Sequence, residues 1–127
     1  MRLLIQRVTR AEVRVDGRTV ATSGPGLAVL VGVGHGDDDA TAKVMAGKVV
    51  GLRIFRDSEG RTNRSLLEVG GEALVVSQFT LYADTRKGRR PSFLDAAQPD
   101  VGAAIYERFA AALEAQGVRV GRGVFGA

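Results

Sequence analysis

The stretch Leu27-Ala28-Val29-Leu30-Val31-Gly32-Val33 decides the fold. Its unbroken aliphatic character is that of a central strand buried on both faces, because a strand with one wet face alternates apolar and polar residues instead. Upstream, Gly24-Pro25-Gly26 reads as a turn. Before it, Leu3 to Val15 alternates in part and reads as a strand, Asp16-Gly17 gives a hairpin turn, and Arg18 to Thr22 gives the returning strand. Downstream, Asp37-Asp38-Asp39 supplies N-cap and first-turn carboxylates for a helix whose apolar stripe is Ala42, Met45, Ala46, Val49 and Leu52.

Further on, Arg53-Ile54-Phe55 reads as a short strand, Asp57 to Gly60 as a turn, and Glu72 to Val76 as a second buried strand. Pro99 and Asp100 open a second helix with the stripe Val101, Ala104, Ile105, Phe109, Ala112 and Leu113. Gly117 ends it, and Val118 to Phe125 gives a last strand. Hairpins early in the chain with two separated helices predict an α+β domain: a mainly antiparallel, barrel-like sheet with two helices packed on one side.

Composition bounds the function. At 127 residues the chain is one domain able to bury roughly two-thirds of its unfolded surface. Apolar residues make up 45% and charged residues 25%, as in an ordinary soluble protein, and no run approaches the ~20 apolar residues of a membrane span. The absence of cysteine excludes disulfides and thiol catalysis and fits a reducing cytosol. A single histidine gives no zinc site, and the Asp37 to Asp39 run lacks a following oxygen-ligand pattern, so no metal or cofactor is expected. The net charge of +4 favours an anionic partner.

Two motifs carry chemistry. Ser77-Gln78-Phe79-Thr80 stands at the end of the second buried strand. A hydroxyl there is a nucleophile only if a base activates it, and none is nearby in the sequence; capping or substrate-orienting hydroxyls are commoner. Backbone N–H groups where a strand breaks are the alternative, since they hold a developing oxyanion without any reactive side chain. Gln78 offers a further donor or a water-orienting group, and Phe79 a wall. The second motif is Arg86-Lys87-Gly88-Arg89-Arg90-Pro91, flanked by Tyr82 and Phe93. It reads either as a solvated basic loop or as a phosphate contact, with Arg forks for phosphate oxygens and aromatic rings for a base.

Ser77-Gln78-Phe79-Thr80-Leu81-Tyr82-Ala83-Asp84, followed by Lys87-Gly88 and Arg90-Pro91-Ser92-Phe93, resembles the signature of the D-aminoacyl-tRNA deacylases, also known as D-tyrosyl-tRNA deacylases. Met1-Arg2, Gln6-Arg7-Val8, Leu52-Arg53-Ile54-Phe55 and Gly70-Gly71-Glu72-Ala73-Leu74 fit the same pattern, so the resemblance spans the chain. It implies a cytoplasmic homodimer that proofreads translation by hydrolysing the ester between a D-amino acid and the 3′-terminal adenosine of tRNA. It also implies activity on glycine mischarged onto alanine tRNA, since glycine lacks the side chain on which chiral rejection acts.

Carried over by position, the resemblance makes Ser77, Gln78, Phe79 and Thr80 the ester pocket, with the Phe79 and Thr80 N–H groups polarising the carbonyl. The ribose 2′-hydroxyl would place the attacking water. A minority reading makes Thr80 the nucleophile. Arg7 would steady a chiral-rejection loop, and Tyr82, Arg86, Lys87, Arg89, Arg90 and Phe93 would meet the RNA. That loop, a Gly-cis-Pro pair in a Gly-Pro-Val-Thr segment entering the partner's site, has no counterpart in Gly121-Arg122-Gly123-Val124-Phe125-Gly126-Ala127. Gly24-Pro25 lies in an unrelated context. The resemblance therefore implies a further strand and loop after Ala127, and poor chiral selection with a weaker dimer in a chain without them. A non-catalytic RNA-binding module and an esterase for small substrates are the competing readings.

Overall fold

The structure is a computed structural model describing residues 1–127. Its elements follow as strands β1 (Arg2–Val8), β2 (Ala11–Val15), β3 (Arg18–Ser23) and β4 (Gly26–Gly32), then helix α1 (Asp39–Gly51). The β5 (Phe55–Arg56) and β6 (Thr62–Arg64) strands precede α2 (Leu66–Val69), β7 (Glu72–Ser77), a 3₁₀ turn (Phe79–Tyr82), α3 (Pro99–Ala115) and β8 (Val120–Arg122). The main sheet has the order β1-β4-β7-β8, while β2-β3 and β5-β6 are separate hairpins. Pairs β1–β4, β2–β3 and β5–β6 are antiparallel; β4–β7 and β7–β8 are parallel. The domain is thus α+β as expected, with three separate sheets in place of a closed barrel and parallel pairing at the centre of the largest.

The aliphatic run is central because β4 pairs on both edges, with Leu27, Val29 and Val31 fully buried against one face. Ala73 and Val75 of β7 continue that face, and Ala42, Ala46 and Val49 of α1 with Phe109, Ala110 and Leu113 of α3 cover it. Burying each of the Leu, Val and Phe side chains among them is worth about 1.5–3 kcal/mol. Leu74 faces the other way and is buried beneath the β2–β3 hairpin, where Gly121 lets the Thr22 carbonyl and the Leu74 side chain approach closely.

Several expectations shift. The expected strand from Leu3 to Val15 is two strands: β1 ends opposite Gly26, and after Thr9-Arg10 the chain leaves the main sheet to pair with β3. On α3 the buried stripe is Gly102, Tyr106, Phe109, Ala110 and Leu113, and Val101 is exposed. The stripe rotates because the Tyr106 hydroxyl donates to the Val75 carbonyl at 2.8 Å, tying that helical face to β7. On α1, Leu52 is outside the helix as its C-cap, and Val50 takes a buried place instead. Asp38 is the N-cap and Asp39 lies in the first turn, whereas Asp37 accepts the Gly34 N–H at 2.8 Å. The final strand is only β8, and α2 and β6 were not anticipated.

Candidate functional site

Strand β7 delivers Ser77 to the edge of the core, and the chain then breaks into the 3₁₀ turn. The break is anchored where Gln78 N–H donates to the Val31 carbonyl at 2.7 Å. A cavity of about 480 Å³ opens there, with Val31 and Val33 beneath, Ser77 and Gln78 on the strand end, and Phe79 and Phe93 as a wall. The two phenyl rings meet edge to face, 5.0 Å between centroids and 71° between planes. Phe79 is nonetheless 58% exposed. The start of α3 and Phe125 close the far side.

As the first residues of a 3₁₀ turn, Phe79 and Thr80 have N–H groups with no partner inside the turn. Neither donates to any other backbone or side-chain acceptor, and Gln78 provides no side-chain cap. Two adjacent free donors thus stand where the strand breaks, one on Phe79 of the cavity wall and one on the next residue of the turn, an arrangement suited to a carbonyl oxygen gaining charge. The hydroxyls lack the corresponding support. Thr80 is exposed, is absent from the cavity lining, and its hydroxyl accepts from the Gln78 amide. His35 is engaged elsewhere, donating through Nε2 to the Leu94 carbonyl at 2.6 Å, and no acid or base hydrogen-bonds Ser77 or Thr80.

The turn is held from beneath. Arg2 at the start of β1 donates to the Leu81 carbonyl at 2.8 Å and lies 4.5 Å above the Tyr82 ring. Tyr82 rests on Gly32 and Gly34, and a Cβ at Gly34 would fall 2.6 Å from its hydroxyl. Burial raises the Tyr82 pKa. Tyr82 is therefore a structural plug under Arg2, which corrects its expected role as a base-stacking ring; Phe79 and Phe93 are the available rings. The sequence reading missed Arg2, Gly32 and Gly34 in this role. A register pairing Arg2 with Gly32 is the signal that would have pointed to them.

The basic loop is closed by a bridge between Asp84 and Ser92, with N–H to carbonyl distances of 2.7 and 2.8 Å. Within it Arg86 is already engaged: its Nε and Nη2 donate to the Asp84 carboxylate at 2.9 and 2.8 Å. Those bonds and the Arg86 N–H hold the Asp84 pKa down at about 2. A depressed carboxyl pKa favours the folded pair above the unfolded value and loses that contribution as pH falls through the folded one, so the pair persists across neutral pH. Lys87, Arg89 and Arg90 are exposed and form no ion pair, and Gly88 takes φ +87° in the turn between them. Arg86 thus serves as a loop brace, leaving three cations of the expected four free.

Arg7 is not brought to this cavity. It pairs in register with Leu27, which pairs with Ala73, so it lies at the opposite end of the sheet from Ser77. Its Nη1 donates to the Ile54 carbonyl at 2.8 Å.

Residues 4–127 match the family model described as D-Tyr-tRNA(Tyr) deacylase. A D-aminoacyl-tRNA deacylase of Roseiflexus castenholzii is 61% identical over 127 residues, covering 100% of this chain and 81% of that protein. A solved structure of a "c-Myc DNA Unwinding Element Binding Protein" superposes with a TM-score of 0.92 at 34% identity, covering 100% of this chain and 87% of the other. Another, of a "probable eukaryotic D-amino acid tRNA deacylase", gives a TM-score of 0.81 at 24% identity over 98% of this chain and 88% of that one, and supports the fold.

Proposed function

The chain belongs to the D-Tyr-tRNA(Tyr) deacylase family, and from that premise we propose how this site hydrolyses the ester linking a D-amino acid to the 3′ end of tRNA. The observation that carries the reading is the pair of free N–H groups at Phe79, in the wall of a cavity between a strand end and a basic loop, and at Thr80, the next residue of the turn. The aminoacyl group enters the cavity, and the terminal adenine packs against Phe79 and Phe93. The ester carbonyl points at the two amides. Water attacks, assisted by the ribose 2′-hydroxyl, and the oxyanion is stabilised by donors that need no reorganisation, each worth roughly 3–4 kcal/mol. Ser77 and Gln78 orient substrate or water, and Lys87, Arg89 and Arg90 hold phosphates near the 3′ end.

Glycine mischarged onto alanine tRNA is a further substrate in this reading, because nothing in the mechanism requires an amino-acid side chain. The working form is a homodimer, a reading supported by exposed apolar residues such as Leu4 on the outermost strand β1 and Leu94, 84% exposed. None of the helices is long and apolar enough to cross a membrane.

The test is release of amino acid from D-aminoacyl-tRNA under multiple turnover. Hydrolysis well above the spontaneous rate is expected. Tight, salt-sensitive tRNA binding without hydrolysis would favour a nucleic-acid-binding module instead, the function named for the relative of 34% identity. Hydrolysis of small esters insensitive to charge reversal at Lys87, Arg89 and Arg90 would favour a small-substrate esterase.

A further inference from the structure

Apart from the loop beside the cavity, unpaired positive charge gathers in one other place. The β5–β6 hairpin carries Arg53, Arg56, Arg61 and Arg64, all exposed, and none forms an ion pair. Arg7 joins them through its bond to the Ile54 carbonyl at the hairpin's base. Two of the carboxylates nearby are engaged by backbone: Asp57 accepts the N–H groups of Glu59 and Arg61 at 2.9 and 3.0 Å, and Glu68 caps Ser65 N–H at 3.1 Å. Four arginines against Asp57 and Glu59 leave residues 53–64 at +2, before Arg7 is added.

Several of these guanidinium groups are also held in place. Arg64 donates through Nη2 to the Glu68 carbonyl at 2.9 Å, and Arg53 through Nη1 to Asn63 at 3.4 Å. Each has N–H groups to spare, so the donors are partly ordered before any ligand arrives. Every cation of the hairpin is arginine, whose fork matches two phosphate oxygens at once.

We infer that the β5–β6 hairpin, with Arg7, is a second phosphate-binding surface that grips the tRNA backbone several nucleotides from the aminoacylated end. The inference rests on the deacylase reading above and specifies which part of the substrate lies where. Distance sets the number of nucleotides. Arg7 is level with Ala73 and the cavity with Ser77, four residues along β7, or about 13 Å at ~3.3 Å per residue. At roughly 3.4 Å of rise per nucleotide in a stacked strand, that offset spans about four nucleotides. A substrate holding only the last two nucleotides would fill the cavity and never reach the hairpin.

The experiment uses the full chain and the double variant Arg56→Gln/Arg61→Gln, whose lost guanidiniums make no hydrogen bond within the fold. The first readout is Kd for uncharged tRNA across a salt series, which involves no chemistry. Binding is expected to weaken about 10-fold near 150 mM salt, and the slope of log K against log salt to flatten by about 1–2. Saturating turnover on D-aminoacyl-tRNA should not change, Arg56→Lys/Arg61→Lys should recover most of the affinity, and kcat/KM on a 3′-D-aminoacyl dinucleotide should match the parent. An unchanged Kd and salt slope would overturn the inference. So would equal losses on tRNA and dinucleotide, which would mean a disturbed fold or cavity. Should the parent hydrolyse no ester, the deacylase reading fails, and the Kd series still decides whether this surface binds RNA.

Discussion

Replacing Phe79 by proline is expected to lower kcat on D-aminoacyl-tRNA about 10²–10³-fold relative to Phe79→Ala, with little difference in Tm between the two. Proline at this position deletes one N–H and nothing the fold uses, because that N–H has no acceptor in the chain. The backbone suits the replacement. Phe79 opens a 3₁₀ turn, where φ lies near the value that the pyrrolidine ring enforces. The preceding Gln78 has φ −146° and ψ 89°, outside the helical region that proline disfavours in its neighbour. Phe79→Ala removes the ring and its edge contact with Phe93 but keeps the donor, so the ratio of the two variants isolates the amide. Equal kcat values in a rapid-quench assay would mean that the Phe79 amide takes no part in stabilising the oxyanion.

Gly26→Ala is expected to be the most damaging single substitution to stability. A Cβ at Gly26 would lie 1.8 Å from the Glu72 carbonyl oxygen and 2.6 Å from its nitrogen, with φ at +157°. Both obstructing atoms are backbone, so no rotamer change relieves the clash. Gly26 and Glu72 are partners in the parallel β4–β7 ladder, and Gly24 N–H donates to the Glu72 carboxylate at 2.6 Å, so the two strands would be pushed apart at their common start. Overpacking against a rigid neighbour costs about 3 kcal/mol or more, equivalent to a fall in Tm of roughly 10 °C or more for a domain of this size. Thermal denaturation followed by circular dichroism reads this directly. A shift of less than about 3 °C would mean that the strands separate freely, against the packing described.

These two sites differ in how legible they were. The buried strands β4 and β7 announced themselves through aliphatic runs, and both long helices through Asp38 and Pro99 at their starts. The break between β1 and β2 left no mark, because Thr9-Arg10 carries neither proline nor glycine and only the choice of partner strand ends the ladder. Parallel pairing of β7 with β4 and β8 is likewise a property of the assembled sheet. Ser77 to Thr80 were legible as a strand end, but whether an amide or a hydroxyl serves there depends on which groups stay unpaired after folding. The plug of Tyr82 under Arg2 joins residues 80 apart in the chain, and no local pattern reveals such a contact. The Asp84–Arg86 brace was equally hidden, since a run of cations does not say which one a nearby carboxylate will claim.

The central question of the mechanism is whether a protein hydroxyl breaks the ester. Single-turnover hydrolysis of D-aminoacyl-tRNA by Thr80→Ala measures this most directly. Backbone catalysis predicts a rate within several-fold of the parent, the residual loss reflecting the hydrogen bond between Gln78 and Thr80. A loss of about 10³-fold or more, with unchanged Tm and tRNA affinity, would make Thr80 the nucleophile and contradict the mechanism.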